Sequence, residues 1–271
     1  MVVTNTNVVG LNKKICLFAD IHFNVKYNTK KFDKIIENVI ANKPDYICIV
    51  GDILDSSELE NLKDINKLYS FIARLASISK VIISLGNHDI TVIKKRRHCG
   101  YRYPSEFVNN IKKINNVIFL DNEMYIDNSI CFIGYTESLD LTYNDKGPSD
   151  IAISELNALL NDLDETKFNV MLSHNPLHVS KDIMYKSVKN YSKLNLILSG
   201  HTHNGLLPTF IKTNTVLISP NKRFFVHRAR GHFKNKVVDV IVTGGVVKFS
   251  YGSGFFRFFN FLFPIDIDYI D

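Results

Sequence analysis

Short apolar runs rich in β-branched residues alternate along this chain with longer stretches whose apolar positions recur three and four residues apart. The first pattern predicts buried strands and the second amphipathic helices. Lys14 to Asp20 opens the series as a strand ending in an acid, and Phe32, Ile35, Ile36, Val39 and Ile40 mark a helix closed by Asn42 and Pro44. Asp45 to Val50 is a second strand. A helix from Ser57 then carries Ile65, Leu68, Tyr69, Ile72 and Leu75 on one face, and Val81 to Leu85 is a third strand. Such alternation is the mark of parallel β-α-β units.

The same signals predict a helix from Ser105, with Phe107, Ile111 and Ile114 on its apolar face, and strands at Val117 to Leu120, Met124 to Ile126 and Ser129 to Tyr135. A helix capped by Ser149 and lined by Ile153, Leu156, Leu159, Leu160 and Leu163 leads to a strand over Asn169 to Ser173. Pro176 is expected to stop regular structure and leave His174 in a loop. A helix near Lys181 to Tyr191 precedes a strand at Leu194 to Ser199. From Val216 onward strands dominate, at Val237 to Thr243, Val246 to Tyr251 and Ile265 to Ile270. The fold class is therefore α/β. No linker, repeat or low-complexity tract divides the 271 residues, which read as a single domain with residues 1–12 peripheral and 252–271 an aromatic-rich end with a final strand.

Five of these strands end in side chains that bind cations: Asp20 with His22, Asp52, Asn87, His174, and His201 with His203. In extended backbone, residues two apart point to one side, so the first and last pairs read as two-pronged grips. Of the nine histidines, five lie at these endings when His88 beside Asn87 is counted, which packing does not explain. A mixed Asp, Asn and His set suits Mn, Fe or Zn, whereas a structural zinc site would use paired cysteines. Seven donors are too many for one ion and supply two divalent ions if one carboxylate is shared. Two metals about 3.5 to 4 Å apart activate water and clamp phosphoryl oxygens, which amounts to phosphate-ester hydrolysis. The leaving oxygen needs an acid, and His88 beside Asn87 is the imidazole in position to give it; Asp89 or Asp55 could orient that ring or a ligand ring.

Composition adds limits. At 45% hydrophobic content the chain can bury a substantial core, and no apolar run is long enough to span a membrane. The N-terminus lacks the pattern of a secretory signal, and the four cysteines are unclustered, so a reducing, cytoplasmic compartment is expected. A net charge of +6 and a pI near 9.0 favour anionic partners. Lys94-Lys95-Arg96-Arg97-His98 is read as a basic loop overhanging the site, and the run from Phe255 to Phe263 as core packing or as a wedge into a bilayer. Both are candidates for peripheral contact with the inner face of a membrane.

Asp20-x-His22, Gly51-Asp52-x-x-Asp55, Gly86-Asn87-His88-Asp89, His174 and Gly200-His201-x-His203 together resemble the five-block signature of the calcineurin-like metallophosphoesterases. The resemblance implies that Asp20, His22 and His203 hold one ion, that Asn87, His174 and His201 hold the other, and that Asp52 bridges them. It also implies His88 as the acid and a four-layer αββα sandwich of two mixed sheets flanked by helices. Ser173-His174-Asn175-Pro176, Ala229-Arg230-Gly231 and the ending around Gly252 to Pro264 are similar to a bacterial, often membrane-associated subgroup that includes UDP-diacylglucosamine pyrophosphatases. Asn204 stands where that subgroup carries Gly, and the N-terminal anchor common there is missing.

The expectation is a dinuclear phosphohydrolase acting on a phosphodiester or pyrophosphate, with a phosphorylated small molecule or lipid, including nucleotide sugars, as substrate and Mn as the ion that supports turnover in vitro. A nuclease or cyclic-nucleotide phosphodiesterase is the alternative among enzymes. Nucleic acid is the weaker partner because no Lys/Arg stripe with interleaved aromatics is present. A metal-free interaction scaffold of the same fold is the alternative outside enzymes, and no obligate protein partner is evident.

Overall fold

The computed structural model describes residues 1–23, 30–55, 65–94, 97–138, 150–179, 182–203, 211, 213–218, 224–246 and 265–271. In chain order the strands of the first half are β1 (Val2–Thr6), β2 (Ile15–Phe18), β3 (Tyr46–Val50), β4 (Lys80–Ser84), β5 (Thr91–Lys94), β6 (Arg97–Tyr101), β7 (Val117–Leu120), β8 (Glu123–Asp127) and β9 (Ile130–Tyr135). The second half adds β10 (Phe168–Ser173), β11 (Leu196–Ser199), β12 (Val216–Ile218), β13 (Phe224–Val226), β14 (Gly231–Asn235), β15 (Val238–Val242) and β16 (Asp266–Ile270). Helices are α1 (Lys30–Asn42), α2 (Ile65–Ala76), α3 (Asn87–Ile90), α4 (Ser105–Ile111), α5 (Asp150–Leu159), α6 (Pro176–Val179) and α7 (Asp182–Ser187).

Two six-stranded sheets form the body, one in the order β1-β16-β2-β3-β4-β7 and the other β14-β15-β11-β10-β9-β8. Each has a parallel centre, β2-β3-β4-β7 in one and β15-β11-β10-β9 in the other. Antiparallel pairings complete both, β16 on β2 in the first and β14 on β15 and β8 on β9 in the second. Central strands are apolar throughout because both faces are covered. On β2, Ile15 and Leu17 face the second sheet, where they meet Phe132, Val170, Leu172 and Leu198. Cys16 and Phe18 face outward with Ile35 and Val39 of α1 and Phe71 and Leu75 of α2. The second sheet turns Met171, Ile197 and Val240 toward Leu156 of α5 and Met184 of α7. Three apolar layers thus separate four structural ones, as the αββα expectation requires.

Several local readings change. Asn87 to Ile90 forms one helical turn, and the basic segment is a hairpin, with β5 and β6 antiparallel, rather than a loop. Pro176 starts α6 instead of ending regular structure. A first helical position loses nothing from a missing N–H, and the ring presets φ. Residues 1–12 include β1, an edge strand parallel to β16. Lys95, Arg96, Ser149, Asn204, Arg223, the start of the helix from Ser57, most of the strand expected over 246–251 and the whole Phe255 to Phe263 run lie outside the described residues. Among the described residues, no helix is long and apolar enough to cross a membrane; Cys16, Cys48 and Cys131 are buried free thiols.

Leu172 is fully buried in the middle layer. Leu172→Ala should cost about 2 to 5 kcal/mol in urea unfolding; a loss below about 1 kcal/mol would mean that the two sheets do not pack tightly there.

Candidate metal centre

Asp20 and His22 follow β2, Asp52 follows β3, Asn87 opens α3 beyond β4, His174 follows β10, and His201 and His203 follow β11. The first four come from one sheet and the last three from the other, so the site spans the ends of both parallel centres. Paired donors do not converge through extended geometry. Asp20, His22, Asp52, His201 and His203 have φ of 55°, 43°, 50°, 69° and 47°. Left-handed backbone costs a non-glycine residue about 1 to 3 kcal/mol, and it persists only when the surroundings impose it. Here neighbouring loops are bonded to one another: Asp20 N–H donates to Gly51 O (3.1 Å), His22 N–H to Asp52 O (2.9 Å), Gly51 N–H to Ser84 O (3.1 Å) and Gly200 N–H to His174 O (3.0 Å).

The donor atoms fall into overlapping groups: Asp20 with His22 and His203, Asp52 with His174 and His201, and His22 with Asp52 and His88, each set within 4.8 Å. Asp20 Oδ1 lies 3.3 Å from His203 Nε2 and 3.7 Å from the Nε2 atoms of both His22 and His174. Asp52 Oδ2 lies 3.0 Å from His174 Nε2 and 3.6 Å from His22 Nε2. Asn87 Oδ1 joins the second group, 3.0 Å from His201 Nδ1. The structure therefore brings all seven sequence-predicted ligands together. Glycine makes the approach possible: a Cβ on Gly51, whose φ is +70°, would fall 2.7 Å from both the Gly86 Cα and the His174 ring.

This donor set fits cations. Asp20 Oδ1 and His201 Nε2 are buried and make no hydrogen bond among the described residues. His22 Nε2 and His203 Nε2 are only 3.3 Å apart, two nitrogens turned to one place. A divalent ion beside Asp20 would satisfy its oxygen and both rings, and a second beside Asp52 would satisfy His174, His201 and Asn87.

Electrostatics give the same picture. Burial opposes ionisation of Asp20 and Asp52, but the imidazoles of His203 and His174 hold Asp20 low and those of His174, His88 and His22 hold Asp52 well below the carboxylate range. Burial alone would lower His174; the Asp52 and Asp20 charges raise it to about 10. Its Nδ1 sits 2.8 Å from Val50 O, which fixes the ring and aims Nε2 at the site.

The three predicted catalytic residues separate in role. The His88 ring lies edge-on to that of His22, ring centres 4.6 Å apart, and the His88 backbone N–H donates to Asp52 Oδ1 at 2.7 Å. Burial pushes this ring down to about 4, opposed by the charges of Asp52 and Asp55. Asp89 has both oxygens taken by backbone, Gly86 N–H at 2.7 Å and Leu54 N–H at 2.8 Å. It clamps the loop after β3 to the start of α3 and orients no ring. Asp55, held by its N–H to Phe23 O (3.1 Å), acts through its charge on His22 and His88. Sequence reasoning missed the Val50 carbonyl and the Asp89 clamp, because backbone partners leave no side-chain signal.

A family model for the calcineurin-like phosphoesterases matches residues 13–205, well over half of the chain. The chain belongs to that family. A Caenorhabditis elegans protein named as a metallophosphoesterase is 26% identical over 245 residues, covering 88% of this chain and 45% of its own length. An uncharacterised metallophosphoesterase of Campylobacter jejuni is 28% identical over 198 residues, covering 73% and 46%. The chain thus spans about half the length of these curated relatives. One solved structure, 13% identical with a TM-score of 0.52, covers 86% of this chain and 91% of its own, a likeness of fold alone.

A metal ligand must give up its proton, and in the metal-free site His174 keeps one through neutral pH. Metal loading should therefore release about one proton per chain near pH 7, with affinity rising about tenfold per pH unit from pH 7 to 9. The sign is opposite for the apoprotein: stability gained from His174 is full below 6.5 and lost as pH rises through about 10. Calorimetry of Mn binding in buffers of different ionisation enthalpy measures the release; none, with flat affinity, would refute it.

Proposed function

We propose that this chain is a dinuclear metal-dependent phosphohydrolase that cleaves a phosphodiester or pyrophosphate, with a lipid-linked or nucleotide-sugar substrate, and that Mn supports its turnover in vitro. The observation that carries the reading is the position of Asp52. Its Oδ2 faces His174 from one sheet and His22 from the other, while its Oδ1 is held by the His88 backbone N–H. A carboxylate so placed can serve two ions at once. When bound, two such ions supply the Lewis acidity that activates water and offsets charge on the phosphoryl oxygens.

The protein's own groups do the remaining work. Asp20 and Asp52 provide the negative charge that concentrates cations, and the left-handed loops fix its direction before substrate arrives. His88, outside both proposed ligand sets yet in contact with His22, is placed to give a proton to the leaving oxygen. A depressed pKa leaves the ring neutral at pH 7 in the metal-free site, so it must take up a proton before it can give one. An incoming phosphate, like the nearby Asp55, favours its protonation. An anionic substrate agrees with the +6 net charge. A lipid-linked one agrees with Phe224 and Phe225, which are 66% and 65% exposed on the β12–β13 hairpin.

Asp52→Asn should lower turnover of bis-p-nitrophenyl phosphate by about 1000-fold or more, the several kcal/mol of charge stabilisation lost, with an unchanged circular dichroism spectrum. Retained activity would sink the proposal.

His88→Ala tests the acid. It should cost about 100- to 10,000-fold with an alkyl leaving group, but far less with p-nitrophenolate, which departs without a proton. Equal losses on both substrates would assign His88 to binding instead.

A further inference from the structure

The turn at residues 243–246, between β15 and the last strand, touches the metal centre without supplying a ligand. Its backbone is bonded to the roots of two ligand loops. Thr243 N–H donates to Ser199 O (3.0 Å), just before the Gly200-His201 loop, and Val246 N–H donates to Ala19 O (2.9 Å), just before Asp20. The turn thus joins the second sheet to the first at the edge of the site.

Two glycines press on Asp20 itself. A Cβ at Gly245, which has φ +81°, would lie 2.7 Å from the Asp20 Cβ and 2.9 Å from its Oδ2, and one at Gly200 would lie 2.6 Å from Oδ2. Between these walls Oδ2 accepts the His201 N–H at 3.0 Å, which leaves Oδ1 aimed at His203, His22 and His174. The orientation of this ligand therefore depends on where Gly245 sits.

Two buried acids on β16 hold that turn. Asp266 and Asp268, 7% and 5% exposed, lie two residues apart on one strand, so they share its face. Asp266 Oδ2 accepts the Gly244 N–H (3.2 Å), and its own N–H donates to Gly245 O (3.1 Å). The Thr243 hydroxyl bonds Asp268 and lies 3.5 Å from the Gly245 nitrogen. The charge of Asp266 also acts on Arg230, itself 6% exposed. The adjacent Ala229 carbonyl accepts the hydroxyl of Thr202, between His201 and His203, at 2.6 Å. One bracket reaches both sides of the ion position defined by Asp20 and His203.

We propose that Asp266 is a positioning residue for the ligand Asp20, acting through the 243–246 turn. The inference rests on the dinuclear reading of the site. Asp266 touches no ion; it sets the wall against which Asp20 is held, so its loss should weaken one ion selectively.

The test is titration of the metal-stripped 271-residue chain with Co(II) and with Mn(II), following the visible spectrum of the former and the heat of the latter. Asp266→Asn keeps shape and removes charge, and Gly245→Ala moves the wall without touching Asp266. Both should raise the dissociation constant of one ion about 10- to 100-fold while the other ion binds as in the parent. A change in metal-free melting temperature alone, with both affinities unchanged in folded protein, would make Asp266 merely structural and overturn the proposal. Should Asp266→Asn fail to fold, Gly245→Ala decides the question by the same readout. Parent protein that binds no metal would overturn the dinuclear reading and this inference together; parent protein with two ions and variants with equal affinity would overturn this inference alone.

Discussion

Two carboxylates, Asp20 and Asp52, are buried where the ends of the two sheets meet, and neither can carry its charge there without cations around it. Much of the surrounding structure supplies that compensation. His22 and His203 reach Asp20 from opposite sheets, and His174 crosses from the second sheet to Asp52 on the first. The electrostatics of the centre therefore bind the sheets to each other at their catalytic edge, while the apolar middle layer binds them elsewhere. A metal-free chain can meet part of this demand with a proton on His174, but only by spending a ligand on it.

Convergence of this kind carries a conformational cost. Five of the seven donors sit in left-handed backbone, and two of the buried donor atoms make no hydrogen bond within the described protein. These are unfavourable terms localised in a few loops, each of which leaves a strand buried on both faces. The strands tolerate them because Leu17, Val50, Leu172 and Leu198 are fully buried behind the site. Strain at the loops and burial behind them are two parts of one arrangement: the rigid ends of the strands prevent the loops from relaxing away from one another.

Much of this could be read in the sequence because parallel strands covered on both faces appear as uninterrupted apolar runs, and the residue following such a run lies at the sheet's edge. That logic located Asp20, Asp52, Asn87, His174 and His201 without knowledge of their neighbours. It gave the wrong geometry for the Asp20-His22 and His201-His203 pairs, since alternation holds only while the backbone stays extended and both pairs lie in left-handed turns. Pro176 was misread because a proline that ends one element can begin another. Asp266 and Asp268 gave no signal at all: on β16 they alternate with Ile267 and Tyr269 as the polar positions of a half-exposed strand would. Only the second sheet, packed opposite, shows that they are buried.

The placement of β16 explains why those acids matter. This strand enters the first sheet antiparallel to β2, its start beside the end of β2, so Asp266 lies near the root of Asp20 although 246 residues of sequence separate them. Beside this strand Gly245 sits against Asp20, with Val246 N–H bonded to Ala19 O and Asp266 N–H bonded to Gly245 O. The last strand and the Asp20 loop are thus joined through one turn. Ions held by the Asp20 group would stabilise the last strand by mass action if they bind only where that strand is in place.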